Sequence, residues 1–185
     1  MRTLRLAAVL GVLGLVACSS PKSPNGWQTG GARLDLPGAQ WTYKNKPVVI
    51  RTHMDWAEVM VDGDVVMVLD RVGRIYDRYQ RPLGMLEPDG RVVGLNEEQL
   101  GIVGSAYAAL PGRPNAWLGL DAQGQLTRFS PEGAPMPAGQ WIGCGYTPFT
   151  QQACLLVSYL FYYDDEGKAA LNAPQGPMPG MVAPR

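Results

Sequence analysis

A repeat in the middle of the chain constrains the fold more than any other feature of the sequence. Residues 73–76 (GRIY) are followed by 83–86 (LGML), and 17 residues later 90–93 (GRVV) are followed at the same offset by 100–103 (LGIV). A looser third copy occupies residues 118–127. Each unit predicts a turn glycine, a short strand, a polar connection and a second strand. Because such a unit cannot bury its apolar face alone, neighbouring units must pack together.

Further strand patterns precede the repeat. Residues 47–52, 56–61 and 65–69 are apolar and β-branched, and the Asp62-Gly63-Asp64 segment indicates a tight hairpin between the last two. The 23 glycines, 16 prolines and only 17% charged residues favour many turns and short strands over long helices. We predict a mainly β fold: a single small antiparallel domain (a meander, barrel or sandwich) built partly from β-hairpin repeats.

The repeat also resembles a known kind of envelope domain. Residues 73–77 (GRIYD) with 81–84 (RPLG) resemble the short β-hairpin repeats of bacterial surface and envelope proteins, the β-flower-like domains among them. The resemblance covers about residues 70–127. It implies an array of hairpins in an envelope protein, and it implies no particular chemistry.

The most apolar run of the second half is residues 155–163 (LLVSYLFYY). Its length and its aromatic residues predict a strand, either buried on both faces or exposing an aromatic face. A short buried helix is the alternative. The predicted strand ends at the polar residues 164–167, and a disulfide in a hairpin would join its start to the preceding segment.

The N-terminus has the pattern of an export signal. Arg2 and Arg5 precede an apolar run over residues 6–16, which is too short to span a bilayer as a helix of about 20 residues. Leu15-Val16-Ala17-Cys18 then resembles the lipobox of bacterial lipoprotein precursors. The alternative is an ordinary cleaved signal with a coincidental cysteine.

The lipobox resemblance has specific implications. Residues 1–17 would be the signal peptide, removed before Cys18. The Cys18 thiol would carry diacylglycerol, and its new amine would be acylated, typically with palmitate. Two or three acyl chains anchor a protein stably to a membrane. In such lipoproteins an aspartate just after the cysteine retains the protein at the inner membrane. This chain has serines at positions 19 and 20 instead, which favours the outer membrane in a cell that has two membranes, on either its periplasmic or its surface face.

The ends of the mature chain have loop-like compositions. Residues 18–40 are rich in Ser, Pro and Gly and predict a flexible lipidated tether, with docking of Trp27 on the domain as the alternative. The β-rich domain is expected over 41–172 and a disordered tail over 173–185. Met178 and Met181 in that tail are too few and too irregular to predict a metal site.

The cysteine count predicts one disulfide. If Cys18 carries lipid, Cys144 and Cys154 remain, and an exported chain reaches an oxidising compartment where such a pair joins. The separation is longer than the two intervening residues of a redox-active motif. A structural disulfide closing this loop is expected to contribute slightly less than about 3 kcal/mol.

The sequence contains little that predicts catalysis. The single histidine, His53, lies two residues from Asp55, which is too few ligands for zinc, and no serine elbow, phosphate-binding loop, dinucleotide fingerprint or zinc-protease motif occurs. The carboxylates at 164–166 lie in an expected exposed turn, where a raised pKa has little cause. We therefore predict no enzyme, cofactor or metal site.

Charge and aromatic content leave interaction as the expected role. Without Arg2 and Arg5 the chain has 14 basic and 16 acidic residues and no basic run, which excludes nucleic acid as a partner. Aromatic residues near the apolar run form the candidate interaction surface, with a core role as the alternative: Trp141, Tyr146, Tyr159, Phe161 and Tyr163.

The leading hypothesis is a membrane-anchored, non-enzymatic structural or interaction module that contacts an envelope protein. One alternative is a module that binds a small ligand or inhibits a hydrolase. The other is a hydrolase that uses His53.

Overall fold

A computed structural model describes residues 21–169. The predicted signal peptide, Cys18 and the predicted tail at 173–185 lie outside the described residues. Twelve strands occur within them, in this order: β1 Ala39–Tyr43, β2 Lys46–Thr52, β3 Trp56–Val61, β4 Asp64–Asp70, β5 Arg74–Asp77, β6 Pro82–Leu86, β7 Arg91–Gly94, β8 Gln99–Val103, β9 Tyr107–Ala109, β10 Leu118–Leu120, β11 Gln125–Phe129 and β12 Pro135–Gln140.

The strands form one antiparallel meander. Each strand pairs with its neighbours in the chain, so the spatial order is the sequence order from β1 to β12. The ends of this sheet meet where Gln40 and Ile142 exchange two backbone hydrogen bonds of 3.0 and 2.8 Å. The result is a nearly closed, barrel-like sheet, and the prediction of a mainly β antiparallel domain is confirmed.

The hairpin predicted from Asp62-Gly63 is present between β3 and β4. Asp62 has φ +52° and Gly63 has φ +91°, and two positive φ angles are what a two-residue turn of this kind requires.

Turns at several places in the sheet share a side-chain cap. In the first copy the Asp70 carboxylate accepts the backbone N–H groups of Val72 and Arg74, at 3.1 and 2.9 Å, around Gly73, which has φ +77°. Carboxylate or hydroxyl oxygens that accept nearby backbone N–H groups stabilise such turns. The same pattern starts at three further positions: Asp77, Asp121 and Ser130.

The segment predicted as a strand at 155–163 is instead part of a helix, so that prediction is wrong and the helix alternative is correct. Helix α1 spans Pro148–Tyr162 and continues into a π-helical turn, Tyr163–Gly167. The seven consecutive residues 153–159 are all buried. Seven residues make nearly two turns, so every side of the helix is covered there, and the periodicity of a surface helix is absent.

Local signals define where α1 begins. The Thr147 side chain accepts the backbone N–H of Thr150 at 3.1 Å, and Thr150 Oγ1 accepts the backbone N–H of Thr147 at 2.9 Å. Pro148 occupies the first turn, where its missing N–H has no helical partner to lose. This capping box preceded the apolar run and favoured a helix.

The predicted disulfide between Cys144 and Cys154 is present, with the Cα atoms 6.2 Å apart. The predicted hairpin around it is wrong, because Cys154 lies in α1 and Cys144 in the loop after β12. Next to it, the buried Trp141 indole donates to Ser158 Oγ at 2.8 Å. Together these contacts fix α1 inside the sheet.

The prediction of a flexible tether up to residue 40 is wrong for its C-terminal part. Ala32, Leu34 and Leu36 are buried in the core. The backbone N–H of Gly31 donates to the Val72 carbonyl in the turn between β4 and β5, and that of Ala32 to the Leu86 carbonyl of β6, at 2.7 Å each. The alternation of apolar residues at 32, 34 and 36 explains this, since every second side chain of an extended segment points to one side. The folded domain therefore begins before residue 41.

Candidate functional site

The predicted aromatic surface is mostly core. Trp141, Tyr159 and Tyr163 are buried, so the interaction prediction is wrong for them and the core alternative is correct. The Tyr159 hydroxyl donates to the Leu100 carbonyl at 2.6 Å, and burial raises the pKa of that hydroxyl. It fills the space that a side chain at Gly101 would need.

The remaining two aromatic residues do not share a surface. Tyr146 is 81% exposed just before α1, whereas Phe161 is half-buried near the other end of the helix. Fifteen residues of helix extend for about 22 Å. Phe161 also packs edge-on against Tyr43, with ring centroids 5.5 Å apart.

His53 lies at the outer face of the sheet, beside β3. Its ring stacks on Trp56 with centroids 3.9 Å apart, and its Nε2 lies 3.5 Å from a Glu58 carboxylate oxygen. Asp55, the expected neighbour, is not the carboxylate that His53 contacts. Among residues 21–169 no group of three or more His, Cys, Asp or Glu side chains could hold a metal ion.

An open groove of about 510 Å³ lies on the outer face of β3, β4 and β5. We call it the Trp56–Tyr76 groove, and its lining includes Trp56, Val68, Asp70, Arg71, Arg74, Tyr76 and Gln80. Strand register explains the placement, because Asp70 pairs with Trp56 and Val68 pairs with Tyr76 across the sheet. The intervening Leu69 points into the core.

A hydrogen-bonded network closes one end of the groove. Asp70 Oδ2 accepts the Tyr76 hydroxyl and one Arg74 nitrogen, both at 3.2 Å. Burial and the negative charge of Asp70 raise the pKa of Tyr76, so its hydroxyl stays protonated and remains a donor.

The N-terminal segment, residues 21–38, supports this network from outside the sheet. Arg74 Nε donates to the Trp27 carbonyl at 2.7 Å and another guanidinium nitrogen to the Gln28 carbonyl at 3.0 Å. The Trp27 ring meets Tyr76 edge-on, with centroids 5.1 Å apart. The docking of Trp27, an alternative at the level of sequence, is therefore correct.

Sequence reasoning missed this groove because its parts are distant in the chain. Trp27, Trp56 and Tyr76 come from the N-terminal segment, β3 and β5. The one local signal was the Asp70–Tyr76 segment (DRVGRIY), which we assigned to turn and strand formation alone.

A second opening lies at the seam between β1 and β12. Its neighbouring charges are paired across it: Tyr43 donates to Asp165, Lys44 Nζ lies 3.0 Å from Asp165, and Arg128 pairs with Glu166. These contacts join β1 and β11 to the turn after α1. They account for the charged groups at the seam as structural links.

None of the helices within the described part of the chain is long and apolar enough to cross a membrane. No protein-family model matches the sequence, and no curated protein or solved structure is similar to it.

Proposed function

We propose that this chain is a lipid-anchored, non-enzymatic binding module of the bacterial envelope, and that the Trp56–Tyr76 groove is its binding site. The observation that carries the proposal is the groove itself. It combines two outward-facing aromatic rings with a polar network at one end. Concave sites of this composition are where proteins hold ligands.

The position of the groove supports a binding role. Its walls stand on β3 and β5, and β4 between them is paired on both sides. His53 stacks behind Trp56, and Trp27 packs against Tyr76. Rings that are already held in place lose less entropy when a ligand binds.

The anchor follows from the lipobox resemblance. The Lys22 backbone N–H donates to Asn96 Oδ1 at 3.0 Å, and the Lys22 carbonyl accepts the Asn96 N–H at 2.8 Å. Four residues of chain reach at most about 14 Å. A lipid on Cys18 would therefore hold the folded domain close to the membrane surface, with the outer membrane as the expected location.

The alternative of a hydrolase that uses His53 has one geometric feature in its favour, the contact with Glu58 at 3.5 Å. The stacking of the same ring on Trp56 favours a supporting role instead. A hydrolase would lose its activity in His53→Ala. We expect this change only to leave the Trp56 ring less firmly positioned.

Two measurements test the proposal in a Gram-negative cell that makes the full chain. We expect Cys18→Ala to move the protein from the membrane fraction to the soluble fraction, with loss of the lipid mass from its N-terminus. A photocrosslinking residue at Arg71, in the groove, should capture an envelope component that the same residue at the exposed Tyr107 does not. Unchanged fractionation or equal capture from both positions would contradict the proposal. An envelope protein as the captured partner would agree with the sequence-based prediction.

A further inference from the structure

We infer that the Trp56–Tyr76 groove binds a neutral, hydroxyl-rich oligosaccharide. This inference rests on the proposed function and names the ligand class of that site. The charge balance, the shape and the hydrogen-bonding groups of the groove favour this ligand class.

Two carboxylates and two guanidinium groups line the groove, so its charges cancel, and all of them except the Asp55 carboxylate already have partners. Arg74 uses its guanidinium on Asp70 and on the carbonyls of Trp27 and Gln28. Arg71 donates to the Met54 carbonyl at 2.8 Å and lies 3.9 Å from Asp35. An anionic ligand would have to compete with these partners, so a neutral ligand fits better.

The walls of the groove suit a flat, partly apolar ring. Trp56 and Tyr76 stand on strands separated by β4 and are offset by two residues along the strands, so their backbone attachments are about 12 Å apart. Val68 forms an apolar floor between them. The C–H faces of a sugar ring can pack on such aromatic rings while its hydroxyl groups remain free for hydrogen bonds.

The end of the groove supplies partners for hydroxyl groups. The Tyr76 hydroxyl donates to Asp70 and keeps a lone pair that can accept, and Gln80 at the rim carries an amide that can both donate and accept. A sugar hydroxyl also donates and accepts. A hydrocarbon chain would cover the Tyr76 oxygen and the Gln80 amide without forming hydrogen bonds to them, which disfavours a lipid.

The location on the sheet disfavours an added peptide strand. Strand addition requires a free sheet edge, and the backbone of β4 is paired with β3 and β5. The groove is open at the surface, so a chain of sugars could extend beyond the residue held between the two rings.

The test is binding of defined oligosaccharides to the purified full chain, in a detergent without a sugar headgroup. The neutral probes are maltotetraose, cellotetraose and chitotetraose, and the charged probes are a hyaluronan tetrasaccharide and inorganic phosphate. We expect at least one neutral probe to bind and the charged probes to bind more weakly. Titration calorimetry gives the affinities.

Four variants locate the binding site. Trp56→Ala and Tyr76→Ala should each weaken the affinity for the neutral probe at least about tenfold. Tyr107→Ala, which removes an outward-facing aromatic ring that is 61% exposed on β9, should leave it unchanged. Thermal unfolding of each variant checks that the domain is folded, and Tyr76→Phe, which keeps the ring, should retain more affinity than Tyr76→Ala.

The inference is overturned if no neutral probe binds at millimolar concentration, if a charged probe binds more tightly, or if Trp56→Ala binds as the unchanged chain does. These results are independent of anchoring, because Cys18→Ala should bind the same saccharide in solution. If the chain is anchored through Cys18 but binds no neutral saccharide, only the ligand class is refuted. If Cys18→Ala still attaches to the membrane, only the proposed anchor is refuted.

Discussion

At the scale of single residues, glycines with positive φ decide where the chain can turn. Gly73 has φ +77°, and a Cβ there would lie 2.7 Å from the Leu86 carbonyl oxygen and 2.9 Å from that of Ala32. Gly63 has φ +91° but faces open space. Comparing these two glycines therefore separates the cost of the backbone conformation from the cost of steric contact.

We predict a graded loss of stability for three glycine-to-alanine changes. Gly63→Ala should destabilise the fold by about 1–2 kcal/mol, the cost of a left-handed conformation for a residue with a Cβ. Gly73→Ala should cost about 1–3 kcal/mol more, because the Cβ also overlaps backbone atoms. Gly38→Ala, where no atom lies within 4 Å of the new Cβ, is the control and should stay near zero.

Urea unfolding of the three variants measures this order. Equal losses for Gly63→Ala and Gly73→Ala would show that the contact with Leu86 and Ala32 relaxes without cost.

At the scale of elements, the end of α1 is linked to the first strand. The Tyr43 hydroxyl and the Lys44 ammonium both contact Asp165, and the hydrogen bond from Tyr43 is the larger cause that lowers the pKa of this carboxyl below 3.8. Burial is the main cause that raises the pKa of Tyr43, and the hydrogen bond to Asp165 is the second. The Tyr43 hydroxyl therefore stays protonated and remains a donor. A lowered pKa in the folded state means that the charged carboxylate stabilises the fold.

This link predicts a pH dependence. Its contribution is present above the unfolded-state pKa of Asp165 and is lost as the pH falls through the lower folded-state value. The urea midpoint of the unchanged chain should therefore decrease on acidification from pH 7 to pH 3, a range estimated from the usual Asp pKa of about 3.9. Asp165→Asn should show a smaller decrease, because it does not titrate.

Asp164→Asn provides the matched control. It makes the same change one residue away, on a carboxylate whose side chain is 83% exposed, and should follow the unchanged chain. If Asp165→Asn loses as much stability at low pH as Asp164→Asn, the link contributes nothing. The expected difference is small, because the Asp165 side chain is itself 41% exposed.

At the scale of the whole molecule, the N-terminal segment is part of the domain. Leu34 and Leu36 are buried among the strands, and the Leu36 carbonyl accepts the Thr52 hydroxyl at 3.1 Å. Burial of a leucine side chain is worth about 1.5–3 kcal/mol, a large share of the 5–15 kcal/mol that stabilises a typical domain.

Two truncations test this boundary. A chain that begins at residue 24 keeps the buried side chains of the segment and should unfold close to the unchanged chain. A chain that begins at residue 39 loses them and should be largely unfolded at 25 °C by circular dichroism. Leu34→Ala in the full chain should cost about 2–5 kcal/mol. Similar stability of the two truncations would mean that the segment only covers the sheet.

The sequence by itself determined the class of the fold. Glycines at 63, 73 and 90 and β-branched runs act over a few residues, so they can be recognised without the rest of the molecule. The Cys144–Cys154 pair was found by counting. The capping box at Thr147 and the apolar alternation at 32–36 are also local signals, for the start of a helix and for an extended segment with one buried side.

Only the tertiary structure decided whether the run at 155–163 was strand or helix, since a helix enclosed by a sheet buries all its sides and shows neither periodicity. The tertiary structure also places Trp141 and Tyr159 in the core and not on the predicted surface. The groove depends on it entirely. Trp56 and Tyr76 face the same groove across three adjacent strands, and Trp27 packs against Tyr76. These residues are distant in the chain, and no local pattern encodes their proximity.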